Sequence, residues 1–260
     1  MKRLSPLPVL LLVTACGTGV KEAPRMEGAY FLTSEAPRNP AGPNNTELKQ
    51  LRIYTPDMVM FAQVNPADSA SGFGVGTYSS WAGGITENEL YGAHDSVIDT
   101  PFSTRKAITR KEDGFTVVMP PAGAGVQSQL TETYRFAGKG TGTPLDGVWK
   151  QVDAYTVSGK DSVKNVRITT QYKSFYRGFF MWGQSTRDAY GGRHAGVGFG
   201  TFEWISNARI KETDLYSTFS IIAGQTFNVD IRLSSPDGFT QAISYPDGTK
   251  SVEVYTRVKK

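Results

Sequence analysis

The feature that most constrains the fold of this chain is an internal repeat. Residues 26–32 read MEGAYFL and residues 145–149 read LDGVW, so an acid, a glycine, a small apolar residue and an aromatic ring recur in the same order. Four further echoes follow colinearly: 72–81 with 196–204, 87–91 with 212–216, 113–116 with 237–240, and 133–136 with 254–258. Five ordered matches predict a tandem duplication. Each copy has about 110 residues, the size of a single domain.

Both copies are rich in short β-forming runs that Gly, Asp, Ser or Pro separate. The second copy contains eight such runs, and apolar side chains alternate strictly with polar ones along residues 227–233. Strict alternation predicts a strand with one buried and one solvated face. Eight sequential antiparallel strands predict an up-and-down barrel, because closure removes exposed sheet edges. The sequence therefore predicts an all-β chain of two tandem eight-stranded antiparallel barrels. A seven-stranded sandwich is the alternative fold.

The start of the second copy resembles the lipocalin-like domains of bacterial secreted proteins. The likeness rests on LDGVWKQV at 145–152 and NVRITTQY at 165–172, which an aromatic-rich strand follows. The resemblance implies a Gly-x-Trp on the first strand, covered by an arginine from the last strand. Such stacking contributes about 0.5–2 kcal/mol and joins the two ends of the barrel. The matching residues are Gly147, Trp149 and Arg257 in the second copy, and Gly28, Tyr30 and Arg135 in the first, where tyrosine replaces tryptophan.

The first residues have the layout of a bacterial secretion signal. Lys2 and Arg3 form a basic region, and the apolar run 9–13 is too short to cross a bilayer as a helix. The sequence VTAC at 13–16 resembles the lipobox of bacterial lipoproteins, which implies cleavage before Cys16 and attachment to its sulfur of a diacylglycerol that carries fatty acids such as palmitate. Gly17, in place of aspartate, points to the outer membrane facing the periplasm. An ordinary secretion signal with an incidental cysteine is the alternative.

These observations divide the chain into five segments: signal peptide 1–15, lipidated cysteine and tether 16–25, first barrel 26–136, Gly-rich linker 137–144 and second barrel 145–260. Cleavage removes two basic residues, so 26 of the 28 remain against 24 acids, and the net charge falls from +4 to +2. This charge gives little reason to expect nucleic acid as a partner. The expected partner is the lipid bilayer, through Cys16. No protein partner is identifiable.

Several motifs invite chemical interpretations that their context disfavours. The Gly-x-Gly-x-Gly runs at 72–76 and 196–200 precede more strand, whereas a phosphate loop needs a following helix. The carboxylates at 87/89 and 212/214 each share one strand face, and we expect them to be solvated rather than catalytic. No metal motif and no G-x-S-x-G elbow is present. The sequence therefore predicts no catalytic residue, no metal and no cofactor.

The aromatic and Met residues of the middle strands are the best candidates for contact with a ligand. They predict binding or carriage of a small, largely apolar molecule inside a barrel. The alternatives are a barrel isomerase or cyclase, and a structural envelope protein with filled barrels. The candidate ligand-binding residues are Met60, Phe61 and His94 in the first copy, and Phe180, Trp182 and Tyr216 in the second.

Overall fold

The structure is a computed structural model that describes residues 23–36, 47–67, 69–94, 97–98, 101–120 and 129–260. The predicted signal peptide and Cys16 lie outside these residues. The first copy forms β1 (Gly28–Ala36), β2 (Lys49–Tyr54), β3 (Met58–Val64), β4 (Ser71–Trp81), β5 (Gly84–Ala93), β6 (Val97–Ile98), β7 (Phe102–Lys111), β8 (Gly114–Met119) and β9 (Leu130–Phe136).

The second copy repeats this pattern of strands. It forms β10 (Gly147–Ser158), β11 (Asp161–Lys164), β12 (Ile168–Tyr176), β13 (Phe179–Arg187), β14 (Arg193–Ser206), β15 (Arg209–Ser217), β16 (Thr226–Ser235), β17 (Gly238–Ser244) and β18 (Lys250–Arg257).

Eight strands of each copy close into an antiparallel barrel with neighbours in chain order. In the first barrel, β1 pairs with both β2 and β9, and a β4–β5 pairing completes the ring. In the second barrel, β10 pairs with both β12 and β18. The short strands β6 and β11 pair antiparallel with the ends of β5 and β10. This topology confirms the prediction of two tandem eight-stranded up-and-down barrels.

One end of each barrel is filled by aromatic side chains, here called the aromatic plug. The plug of the second barrel contains Trp149, Phe175, Phe180, Phe202 and Phe239. The plug of the first barrel contains Tyr30, Tyr54, Tyr78, Phe115 and Tyr134. The inward positions nearer the other end of the same strands carry polar side chains, so each plug lies beneath a polar layer.

A third apolar cluster lies between the two barrels, where β2–β4 contact β10 and β12–β14. Met60 and Met181 are both fully buried in this cluster. Phe73 lies against Gly183, where an added Cβ would come within 2.3 Å of the ring. The apolar outer face of the 179–182 run therefore packs on the sister barrel, while each barrel keeps its own interior.

An arginine closes the plugged end of the second barrel. The Arg257 Cζ lies 4.0 Å from the centroid of the Trp149 ring, and these residues pair across β10 and β18. The guanidinium donates hydrogen bonds to the carbonyl oxygens of Asp146 (2.7 Å) and Pro144 (3.1 Å). Gly147 has a φ of +141°, which favours glycine, and an added Cβ would also lie 2.1 Å from Arg257 Nη1.

The first barrel closes differently, which corrects the prediction for Arg135. Arg135 pairs with Phe31 and is exposed, whereas Phe136 pairs with Tyr30. The Tyr30 and Phe136 rings meet edge to face, 5.5 Å apart, and an added Cβ at Gly28 would touch both rings. An aromatic pair thus occupies the place that Arg257 and Trp149 occupy in the second barrel.

Candidate ligand-binding cavities of the two barrels

The first barrel contains a cavity of about 580 Å³ above its aromatic plug. Its floor is a buried ion network around Glu87, which accepts hydrogen bonds from Arg52 (2.8 and 3.0 Å), Lys106 (2.5 Å) and Tyr54 (2.6 Å). Burial alone would raise the pKa of Glu87, but Arg52 and Lys106 outweigh it and lower the pKa to about 2. Glu87 is therefore a carboxylate at every physiological pH, with its charge neutralised by two cations.

A second carboxyl, Glu89, lies in the same cavity two residues along β5. Burial raises the pKa of Glu89 to about 7, against the opposing influence of Lys106 and Arg52. Its Oε1 is buried and has no hydrogen-bond partner among the described residues. Added Cβ atoms at Gly74 and Gly92 would each collide with this carboxyl, so the glycines make the space it fills.

The second barrel contains a smaller cavity of about 240 Å³ above its plug. Its floor is centred on Lys173, which donates to Glu212 (2.6 Å) and to Gln241 (3.0 Å). Gln241 and Tyr255 both donate to Glu253, each at 2.7 Å. Burial raises the pKa of Glu212, which Lys173 opposes only in part. In the part of the chain that the structure describes, Lys173 is therefore the one cation that lines this cavity, together with the carboxyls of Glu212, Asp214 and Glu253.

Asp214 faces the same cavity and is 3% exposed. Burial, and then the nearby Glu212, raise the pKa of Asp214 to about 7, which Lys173 opposes. Its Oδ1 accepts a hydrogen bond from Trp182 Nε1 at 3.4 Å. Its other oxygen has no hydrogen-bond partner in the described part of the chain, so it is available to a ligand.

Aromatic rings form the wall of the second cavity. The rings of Trp182 and Phe219 stack 5.7 Å apart at 12°, and Phe227 and Tyr245 complete the apolar lining. An added Cβ at Gly198 would lie 2.5 Å from the indole of Trp182. In the glycine runs at 72–76 and 196–200, Gly74 and Gly198 thus lie on the inward face of their strands. The missing Cβ leaves room for the rings of Phe61 and Trp182 on the neighbouring strand.

The strand register aligns the two floors position by position. Gly28 pairs with Tyr54 and Gly147 with Phe175, while Ile85 pairs with Lys106 and Ile210 with Val229. At four positions the two barrels have ionisable side chains of the same kind, basic or acidic, and at the fifth they do not. The matched pairs are Arg52 with Lys173, Glu87 with Glu212, Glu89 with Asp214, Glu132 with Glu253, and Lys106 with Val229.

The structure separates the six candidate ligand residues into three groups. Phe61, His94 and Trp182 line the cavities, and the ring of His94 stacks on Phe61 at 5.7 Å. Phe180 faces inward but belongs to the aromatic plug. Met60 and Tyr216 belong to the cluster between the barrels, which corrects their placement as ligand contacts, because they lie on the outward face of their strands.

The expectation that the paired carboxylates are solvated is also wrong. Glu87, Glu212 and Asp214 are each at least nine-tenths buried, because their strand face is the interior face. Sequence reasoning missed the buried cations that accompany them. A signal exists in KQLRIY at 49–54, where Gln50, Arg52 and Tyr54 alternate with apolar residues. That alternation fits a strand whose apolar face is covered from outside.

Within the described ranges, no group of three or more His, Cys, Asp or Glu side chains is arranged to hold a metal ion. The same ranges contain no helix long and apolar enough to cross a membrane.

Comparison with known proteins gives a likeness at the level of structure. No protein-family model matches the chain, and no curated protein sequence matches it. The chain is similar to the crystal structure of a lipocalin-like protein from Bacteroides uniformis, with 18% identity over 45% of this chain and 100% of that chain, at a TM-score of 0.30.

Proposed function

We propose that this protein binds small amphipathic molecules inside its two barrels. The observation that carries the proposal is the shared layout of the interiors, in which a plug closes one end and a cavity with a charged floor occupies the other. The first cavity, of about 580 Å³, lies within the range of roughly 300–1,000 Å³ that is typical of small-molecule sites, and the second, of about 240 Å³, is just below it. Small eight-stranded barrels hold either side chains or one small ligand.

The charged floors modify the initial idea of a largely apolar ligand. A purely apolar molecule would desolvate Lys173, Glu212 and Asp214 without replacing any hydrogen bond to water, which costs free energy. A ligand with a polar group at the floor and an apolar body against the aromatic wall satisfies both regions. We therefore propose an amphipathic ligand.

The experiment uses matched lumen-filling variants. Gln63 and Gln184 occupy equivalent positions and line the first and second cavities. Titration with the fluorescent amphiphiles N-phenyl-1-naphthylamine and 1-anilinonaphthalene-8-sulfonate should show binding to the unmodified protein. Q63W and Q184W should each remove one class of site. Arg232→Trp, on the exposed outer face of β16, should change neither. Absence of probe binding, or binding that both lumen variants retain, would refute the proposal.

General acid–base catalysis on the bound molecule is a second candidate function. One observation favours it: Glu87 and Glu89 share a cavity, with pKa values of about 2 and about 7. Carboxyls separated in this way supply a fixed charge and a proton donor or acceptor near neutral pH. Incubation of a bound amphiphile with the protein, followed by mass spectrometry, tests this idea. Conversion that E89Q abolishes without loss of binding would support an enzyme.

The third alternative, a structural envelope protein, receives less support. An envelope partner could bind the apolar outer faces of the middle strands, but these faces are already buried between the two barrels.

We also propose that acylated Cys16 anchors the protein in the outer membrane, facing the periplasm. This rests on the residues 1–17 alone. Labelling with radioactive palmitate should mark the wild type and fail to mark Cys16→Ser; equal labelling would refute the anchor.

A further inference from the structure

The two cavities differ in one charge, and this difference is informative because the copies are otherwise matched. Both floors keep three carboxyls at equivalent positions, and both keep one cation, as Arg52 or Lys173. The first floor adds Lys106, which binds Glu87 directly. The equivalent residue of the second barrel is Val229, which is fully buried in the apolar plug. The second floor therefore lacks one positive charge that the first one has.

The residues around the second cavity leave this charge unreplaced. The charged residues that line it are Lys173, Glu212, Asp214 and Glu253, one cation against three carboxyls. The first cavity is lined by Arg52, Arg105 and Lys106 together with four carboxyls and His94. Lys173 is already engaged with Glu212 and Gln241, and Glu253 with Gln241 and Tyr255. Asp214 lines the cavity and has one oxygen without a hydrogen-bond partner among the described residues, so it is the carboxyl left to receive a positive group.

We infer that the second barrel binds a small organic cation, an amine with an apolar or aromatic body, whose ammonium group lies against Asp214. This inference rests on the proposed function of ligand binding in the lumen. The aromatic wall fits the same ligand, since Trp182, Phe219, Phe227 and Tyr245 line the cavity and aromatic rings attract a cation as well as an apolar body. The ligand supplies the charge that Lys106 supplies in the first barrel.

The electrostatics predict a pH dependence with a defined sign. The charged and titratable groups that line the cavity together with Asp214 are Glu212 on its own strand, Lys173 on β12, Tyr245 just after β17, and Glu253 on β18. The ammonium pairs with the ionised form of Asp214, so a proton must leave wherever the carboxyl is protonated. Affinity for an amine should therefore rise with pH through about 7 and level off above it.

The test compares three probes of nearly equal size at pH 8 by calorimetric titration of the full mature protein. Phenethylamine carries the positive charge, 2-phenylethanol is neutral and 3-phenylpropionate is an anion. We expect the amine to bind at least tenfold more tightly than either of the others. Q184W should abolish its binding. Equal or tighter binding of the alcohol or the acid in this cavity would overturn the inference, while binding in the lumen would stand.

Three variants test whether Asp214 binds the ammonium group of phenethylamine. D214N removes the charge with little change of shape, and should weaken phenethylamine binding at pH 8 by ten- to a hundredfold. Val229→Lys restores the charge count of the first barrel, and should remove the preference for the amine over the alcohol. Asp230→Asn removes a carboxylate from the outer face of the same barrel, where it binds exposed Arg209, and should leave affinity unchanged.

Unaltered amine affinity in D214N would overturn the inference. The comparison of the three probes on the unmodified protein needs no variant, so it decides the question even if Val229→Lys fails to fold. If none of the three probes binds while N-phenyl-1-naphthylamine does, the cation site is refuted and the proposed function survives. If that amphiphile also fails to bind, both are refuted.

Discussion

Replacing Asp214 by asparagine should stabilise the protein, although the carboxyl that it removes is buried and hydrogen-bonded. The carboxyl is 3% exposed, and its pKa rises from 3.8 in the unfolded chain to about 7 in the fold. Since the folded state disfavours the ionised form, the group costs stability at high pH. The pKa difference corresponds to about 4 kcal/mol at 1.36 kcal/mol per pH unit. Asparagine is neutral, keeps an oxygen for Trp182 and avoids this cost.

The sign of the effect gives the assay its control. For an acid whose pKa is raised by folding, the cost is absent below the unfolded pKa of 3.8 and fully present above the folded value of about 7. Urea unfolding should therefore show D214N close to wild type at pH 4 and more stable by up to about 4 kcal/mol at pH 8. Asp230→Asn, on the surface, should stay within about 0.5 kcal/mol at both pH values. A D214N variant that is less stable at pH 8, or equally shifted at both pH values, would refute the reasoning.

Three further predictions follow from other buried contacts. E87Q should lower stability by about 3–5 kcal/mol at pH 7, because two buried cations lose their counter-ion; urea titration should show the deficit shrinking as pH falls from 4.5 towards 2, where the wild-type carboxylate also becomes protonated. Arg257→Ala should lower the free energy of unfolding by about 2–3 kcal/mol through lost stacking and carbonyl hydrogen bonds, whereas exposed Arg135→Ala should change it by less than about 0.5 kcal/mol; equal effects in urea would contradict the assignment. Gly198→Ala should displace Trp182 and weaken amine binding at least tenfold in calorimetry, and unchanged affinity would show that the cavity wall tolerates a Cβ.

The architecture was accessible from the sequence because two strong regularities determine it. The colinear echoes define two copies, and alternation with turn residues defines eight strands in each. The register was less accessible. A shift of one residue exchanges the two faces of a strand, and the similarity of TYRF to VYTRV aligned Arg135 with Arg257, whereas pairing places Phe136 there.

The candidate site was less predictable still, since it depends on neighbours that are remote in sequence. Nothing in ENEL shows that Arg52 and Lys106, from other strands, neutralise Glu87. Alternation separates the faces of a strand but does not say which face is inside when a second barrel covers the outside. Met60 was assigned to the lumen for this reason. Trp182 and Asp214 line the same cavity and share a hydrogen bond, but nothing in the sequence indicates that these two residues meet.

The cluster between the barrels affects how far the side chains of the two barrel interiors can differ. Both copies contribute the same strands to it, with Met60 and Met181 at equivalent positions. Two identical subunits that associate through such a face must carry identical interiors. When the two halves are joined in one polypeptide, they stay associated at any dilution and their sequences can differ. One interior can therefore hold Lys106 while the other holds Val229.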